Sequence, residues 1–139
     1  MDAAIADYNE SLRINPRLAG AYCNRGAARQ VKGDLDGAIA DFNQSLKINP
    51  RLAAAYNNRG NALVWKGYLQ EAVADLDKAI KIDARYAAAY ANRGLALLLQ
   101  GKAAEAEKDF EQCLKLDANL KPIVEQFKGS NLSGIRTRP

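Results

Sequence analysis

Residues 21–28 read Ala-Tyr-Cys-Asn-Arg-Gly-Ala-Ala. The pattern returns as Ala-Tyr-Asn-Asn-Arg-Gly-Asn-Ala at 55–62 and as Ala-Tyr-Ala-Asn-Arg-Gly-Leu-Ala at 89–96, an offset of 34 residues both times. A second block keeps the same step: Ala38-Ile39-Ala40-Asp41-Phe42, Ala72-Val73-Ala74-Asp75-Leu76 and Ala106-Glu107-Lys108-Asp109-Phe110. Two series of glycines recur with it, Gly26, Gly60, Gly94 and Gly33, Gly67, Gly101. Residues 3–16 match the second block alone. The 139-residue chain therefore divides into a half unit at 1–18, full units at 19–52, 53–86 and 87–120, and a remainder of 19 residues. A fixed period of this kind marks a stack of supersecondary units.

Each unit reads as two helices. The first half is rich in alanine, with apolar or small residues three and four apart, such as Tyr90, Gly94 and Leu97. The second glycine of each unit falls where the first helix should end in a left-handed residue. A second helix follows, with apolar positions such as Ile39, Phe42, Leu46 and Ile48. Asn15-Pro16 and Asn49-Pro50 should stop it, because proline disfavours helix at the residue before it. Asp83-Ala84 and Asp117-Ala118 replace those pairs, which predicts softer junctions or helices one turn longer. Alternation of β-branched and aromatic residues is absent, so no strands are expected and the chain reads as all-α. Residues 119–129 predict a terminal capping helix, with Pro122 in its first turn, Gly129 at its end and Ile123, Val124 and Phe127 covering the last unit. Residues 130–139 lack periodicity and read as a flexible basic tail.

Composition narrows the function classes. Histidine is absent and there are two cysteines, so neither a histidine base nor a four-cysteine zinc site can form. No phosphate-binding glycine loop or metal-ligand spacing occurs. No enzyme activity, cofactor or metal is expected. Asp34 and Asp36 fall between helices, where N-terminal capping accounts for them. No apolar run approaches membrane-spanning length, and the first 14 residues do not read as a signal peptide, so a cytoplasmic location without membrane attachment is expected. Of the net charge of +4, residues 1–118 contribute +1 and the last 21 contribute +3. The basic balance therefore reads as a tail, and no nucleic-acid partner is expected.

The period, together with Tyr22/Tyr56/Tyr90, Gly26/Gly60/Gly94, Ala28/Ala62/Ala96, Ala38/Ala72/Ala106, Phe42, Phe110 and Pro50, resembles the tetratricopeptide repeat. Arg29, Glu107, Ala84 and Ala118 depart from that pattern. The resemblance implies a right-handed superhelical α-solenoid of antiparallel helix pairs, whose first helices line a concave, partner-binding face. The glycines and alanines sit where two helix backbones must approach closely. No unit could bury its apolar faces alone, so stability comes from stacking neighbours.

Two polar series run through the units. Arg25, Arg59 and Arg93 recur, followed 16 residues later by Asp41, Asp75 and Asp109, with Asp7 as the equivalent in the half unit. Guanidinium and carboxylate pair bidentately, so a structural ion-pair ladder is expected. Asn24, Asn58 and Asn92 recur beside the arginines, and the resemblance places them in the groove. Groove positions by the same resemblance include Asn57, Asn61 and Trp65 in the second unit and Leu95 and Leu99 in the third. An amide carries donor and acceptor together, so an asparagine ladder suits the backbone of an extended peptide. The alternative is that these asparagines satisfy carbonyls of the fold itself. The carboxylate clamp of this family needs lysine and arginine. Its corresponding positions here are Cys23, Ala27, Asn58, Ala88 and Asn92, so binding of chaperone C-terminal tails is disfavoured. Trp65 beside small residues is a candidate anchor for a ligand side chain. Cys113 reads as core packing.

The expected function is a protein-interaction scaffold that holds a peptide or partner segment in a groove. The competing reading is a structural or self-assembling module excised from a larger protein. Ile5, Tyr8 and Leu12 form one face of an N-terminal helix without its partner. A homo-oligomer through that helix, head-to-tail or symmetric, is one of the accounts this leaves open.

Overall fold

The computed structural model describes residues 2–129; the basic tail expected at 130–139 lies outside them. The helices are α1 (Asp2–Ile14), α2 (Ala19–Val31), α3 (Leu35–Ile48), α4 (Ala53–Lys66), α5 (Leu69–Ile82), α6 (Ala87–Leu99), α7 (Ala103–Leu116) and α8 (Lys121–Gly129), with one turn of 3-10 helix at Ala118–Leu120 before α8. Among the described residues there is no strand.

Local chemistry ends each helix where it does. Gly33, Gly67 and Gly101 have φ of 88°, 85° and 82°, a conformation that costs any other residue steric strain. The chain reverses there into the second helix of each unit. Asp34 caps α3 by accepting a hydrogen bond from the Gly37 N–H at 2.9 Å. At the other end of the units the structure answers one branch of the expectation about proline, that of longer helices. Helices α5 and α7, without the proline, are no longer than α3, with 14 residues each. The side chains of Asn49, Asp83 and Asp117 adopt the same turn, each accepting from the backbone N–H two residues on at 3.0–3.1 Å. Asn15 does the same for Arg17 at 3.1 Å. This side-chain turn, which competes with helix for the backbone, stops all four helices whether or not proline follows.

Helices α2 and α3, α4 and α5, and α6 and α7 form tight antiparallel pairs, and successive pairs stack. Among the first helices, α2 touches α4 and α4 touches α6, so they form the inner layer of a curved stack. Within each pair the backbones approach closely. A Cβ at Gly26 would lie 2.7 Å from Phe42 Cε1, at Gly60 2.7 Å from Leu76 Cγ, and at Gly94 2.7 Å from Phe110 Cε1. Those three side chains are buried, as are Ala38, Ala72 and Ala106 on the second helices. Cys113 is fully buried where Ser45 and Ala79 sit in the other units. Ser45 satisfies its hydroxyl by donating to the Ala19 carbonyl at 2.8 Å.

Helix α8 closes the third unit through Val124, which is buried, and Phe127, which packs against α6 and its neighbours. Ile123, expected to join them, instead points outward and is 42% exposed. Glu107, which departs from the family pattern, pairs with Lys128 of α8 at 3.0 Å. In α1, Leu12 is buried against the stack, Ile5 and Tyr8 are half-buried, and Ile14 is exposed.

Gly94→Ala should destabilise the chain by about 1–3 kcal/mol through overpacking against Phe110. Gly20→Ala, with nothing within 4 Å of the new Cβ, should stabilise it by about 0.5–1 kcal/mol. Ala84→Pro should add about 0.4–1 kcal/mol, because the Asp83 turn already sets the conformation that proline favours in two other units. Denaturant unfolding of the three variants checks these signs.

Candidate functional site

The arginine ladder is built from both helices of each unit. Arg25 donates to Asp41 through Nε and Nη2 at 3.0 and 2.7 Å, Arg59 to Asp75 at 2.7 and 2.8 Å, and Arg93 to Asp109 at 2.8 Å twice. The remaining Nη1 of each reaches back to the preceding second helix: to Asn9, Asn43 and Asp77 at 2.9–3.0 Å. Tyr22, Tyr56 and Tyr90 lie beneath the guanidinium groups at 5.4–5.6 Å. Hydrogen bonding to the aspartates holds all three arginines above their ordinary pKa. Arg29, the departure at an aromatic position, adds a second cation to Asp41 at 3.0 Å. Asp7 is exposed and makes no such pair among the described residues. Three of the five N–H groups of each ladder arginine are thus spent within the fold. Its acceptors at 9, 43 and 77 form a further polar series with the same period, which the more uniform arginines and aspartates overshadow in the sequence.

The inner face carries a different polar system. Gln30 donates to Asn61 at 2.5 Å, Asn61 to Asn92 at 2.8 Å, and Asn92 to Asn57 at 2.9 Å. Asn57 donates to Asn58 at 3.2 Å and to the Tyr86 hydroxyl at 3.4 Å, and Asn58 donates to Cys23 Sγ at 3.7 Å. The circuit leaves α2, crosses α4 to α6, and returns through α4 to α2. Burial raises the pKa of the Cys23 thiol and the Tyr86 phenol, with the asparagine hydrogen bonds opposing it.

This differs from a ladder of equivalent rungs. Asn24 is exposed and stands apart from the circuit, while Asn57 and Asn92 are buried inside it. The reason is local: only the second unit carries three asparagines in this region, and positions 23, 27, 91 and 95 are Cys, Ala, Ala and Leu. Leu95 is also displaced from its expected place. It is fully buried in a cluster with Val64, Leu69, Ala72 and Ala96, and Leu99 packs on that cluster together with Phe127. The apolar end of the groove in the third unit is therefore filled by the protein itself.

What remains open lies between α2 and α4. A cleft of about 540 Å³ is lined by Ala27, Gln30, Val31, Asn58, Asn61 and Trp65, together with Gly33 and Leu35. Val31 is 74% exposed and Trp65 43%. The side chains lining it carry no formal charge. Asn58 and Asn61 each spend one N–H in the circuit and keep a second, and Gln30 keeps its carbonyl oxygen, so a ligand would meet both donors and acceptors. Among the described residues, no group of three or more histidine, cysteine, aspartate or glutamate side chains could hold a metal ion. Among them, too, no helix is long and apolar enough to cross a membrane.

A family model described as TPR repeat matches residues 31–67 and 60–101, and one described as tetratricopeptide repeat matches 87–120. The chain belongs to the tetratricopeptide repeat family. A similar solved structure is TTC0263, a thermophilic tetratricopeptide repeat protein of Thermus thermophilus. It is 26% identical at a TM-score of 0.81, over 91% of this chain and 70% of that one. The second tetratricopeptide domain of Spaghetti (RPAP3), bound to the HSP90 peptide SRMEEVD, is 31% identical at 0.69, over 71% of this chain and 92% of that one. The TPR2B domain of yeast Sti1, in a complex with pHsp70, is 25% identical at 0.73, over 78% and 91%. No curated protein matches the sequence. The tetratricopeptide architecture here is a right-handed superhelical α-solenoid, with α2, α4 and α6 on its concave side.

Asn92→Ala should cost about 1–3 kcal/mol, because it leaves the Asn57 oxygen and an Asn61 N–H without partners in a buried site. Asn24→Ala should change stability by less than about 0.5 kcal/mol. Thermal unfolding of the pair distinguishes the circuit residue from the exposed one.

Proposed function

We propose that this chain is a protein-interaction scaffold whose concave face holds an extended peptide. The observation that carries the reading is the open, uncharged cleft between α2 and α4, where Val31 and Trp65 stay exposed beside an ordered row of amides. Most large apolar side chains elsewhere in the repeats are covered, so two together at a concave site favour a ligand side chain there. The amides of Gln30, Asn58 and Asn61 are held in place by their hydrogen bonds within the circuit. A peptide backbone laid across them is met by oriented groups that lose little freedom on binding. Inner helices lie roughly 8–10 Å apart and a peptide advances about 3.3 Å per residue, so the amides of α2 and α4 would meet the peptide about three residues apart.

Peptide complexes of two similar domains support the class of function. The chemistry of the ligand differs from an acidic tail. Cys23, Ala27, Asn58, Ala88 and Asn92 stand at the clamp positions and supply no cation. The expected ligand is an uncharged segment with one large apolar side chain seated against Trp65. In a peptide-array screen, the wild type should select such segments, and Trp65→Ala and Asn58→Ala should each weaken the best binder at least about tenfold, corresponding to about 1.4 kcal/mol. Unchanged affinity in both variants would show that the cleft is not the binding site.

A further inference from the structure

The near-neutral charge of the repeats conceals a segregation. Arg13, Lys47, Lys81 and Lys115 occupy the last turns of α1, α3, α5 and α7. Arg17, Arg51 and Arg85 occupy the loops that follow α1, α3 and α5. Both series have the period of the repeat, so the stack carries them along the one edge where second helices end and first helices begin. A lysine in the last turn is accounted for by the helix dipole. The loop arginines are not, since they lie beyond the helix ends, and neither is Lys78, which stands before the last turn of α5.

Between the ends of α3 and α5 this edge is concave. Pro50, Arg51, Lys78, Lys81 and Ile82 line a cavity of about 320 Å³ that draws on two units. Among the described residues, none of its three cations has a carboxylate partner. Lys78 is steadied over the Tyr56 ring at 5.8 Å. The carboxylates of Asp83 and Asp117 on the same edge are turned to the backbone N–H groups of Arg85 and Asn119. Like charges gathered without direct ion-pair partners repel, and an acidic ligand relieves that repulsion.

We propose that this edge is a second interaction surface, separate from the concave cleft, that binds an acidic protein segment carrying an apolar side chain. The cations select the charge. Proline and isoleucine on the cavity wall select the apolar side chain. A single-stranded nucleic acid fits less well, because such sites combine cations with aromatic rings on which bases stack, and this cavity has no aromatic ring in its lining. The neutral cleft and the basic edge would thus take segments of different chemistry on one scaffold.

The test uses the full chain and a fluorescein-labelled peptide of about twelve residues, alternating glutamate and aspartate with leucine at every third position. Binding is read by fluorescence anisotropy. The wild type should bind it, and raising ionic strength from roughly 0.05 to 0.3 M should weaken binding at least about tenfold. The triple variant Arg51→Glu, Lys78→Glu, Lys81→Glu should lose at least about tenfold with the helical circular dichroism retained, while Trp65→Ala should bind as the wild type does. A second triple variant, with glutamine in place of each glutamate, should show a smaller loss and keeps the test informative if charge reversal unfolds the chain. Binding unaffected by both triple variants, or lost on Trp65→Ala, would overturn the proposal. So would equal binding of a peptide with serine for leucine, or tighter binding of a single-stranded oligonucleotide of the same length.

Discussion

The inner and outer helices of each pair are so close at Gly26, Gly60 and Gly94 that a hydrogen atom is the largest side chain the gap accepts. That approach sets the register of the pair, and much else follows from the register. It puts the Phe42, Leu76 and Phe110 side chains across the glycine backbone, where they are excluded from water. It also brings each ladder arginine within reach of the aspartate 16 residues later, with two of its donors on the two carboxylate oxygens. The packing contact decides the ion pair: at a wider spacing the same side chains would meet through water, where such pairs contribute little.

The fold was legible because its determinants repeat. A glycine that must adopt positive φ and a glycine that must lack a Cβ leave the same mark at every unit, as do the partners of an ion pair. The candidate site was legible only as a region. Asn58, Asn61 and Trp65 lie in the open cleft, but Asn92, Leu95 and Leu99 do not, since Leu95 is enclosed by Val64, Leu69 and Ala96. Periodicity says that two residues occupy equivalent places; it does not say that their surroundings are equivalent. Asn24, Asn58 and Asn92 share a position and have three different environments, one exposed, one at the rim and one buried. The stop signals teach the converse. Proline looked decisive because it is the stronger breaker, yet the preceding Asn or Asp carries the turn in all four cases.

Charge arithmetic was misleading for a related reason. Summing over 118 residues averages the two edges of the stack: at one, Lys32 and Lys66 by the ends of α2 and α4 pair with Asp2 and Asp36 at the starts of α1 and α3, while at the other Arg51, Lys78 and Lys81 have no carboxylate partner among the described residues. The relevant quantity is the charge of an edge, which is fixed only once the chain reversals at the glycines are known. The concave cleft and the basic edge then follow from one architecture, the first from the faces of the inner helices and the second from the ends of the outer ones.

Each ladder arginine holds the aspartate of its own unit and a side chain of the unit before it. The amide circuit likewise joins α2, α4 and α6. In a linear stack of weakly linked units, the ends can unzip while the middle stays folded. Here the arginine bonds and the amide circuit cross every boundary between the full units, so they add to the neighbour-to-neighbour contacts on which such a stack depends, and unzipping one end breaks polar bonds as well as apolar packing.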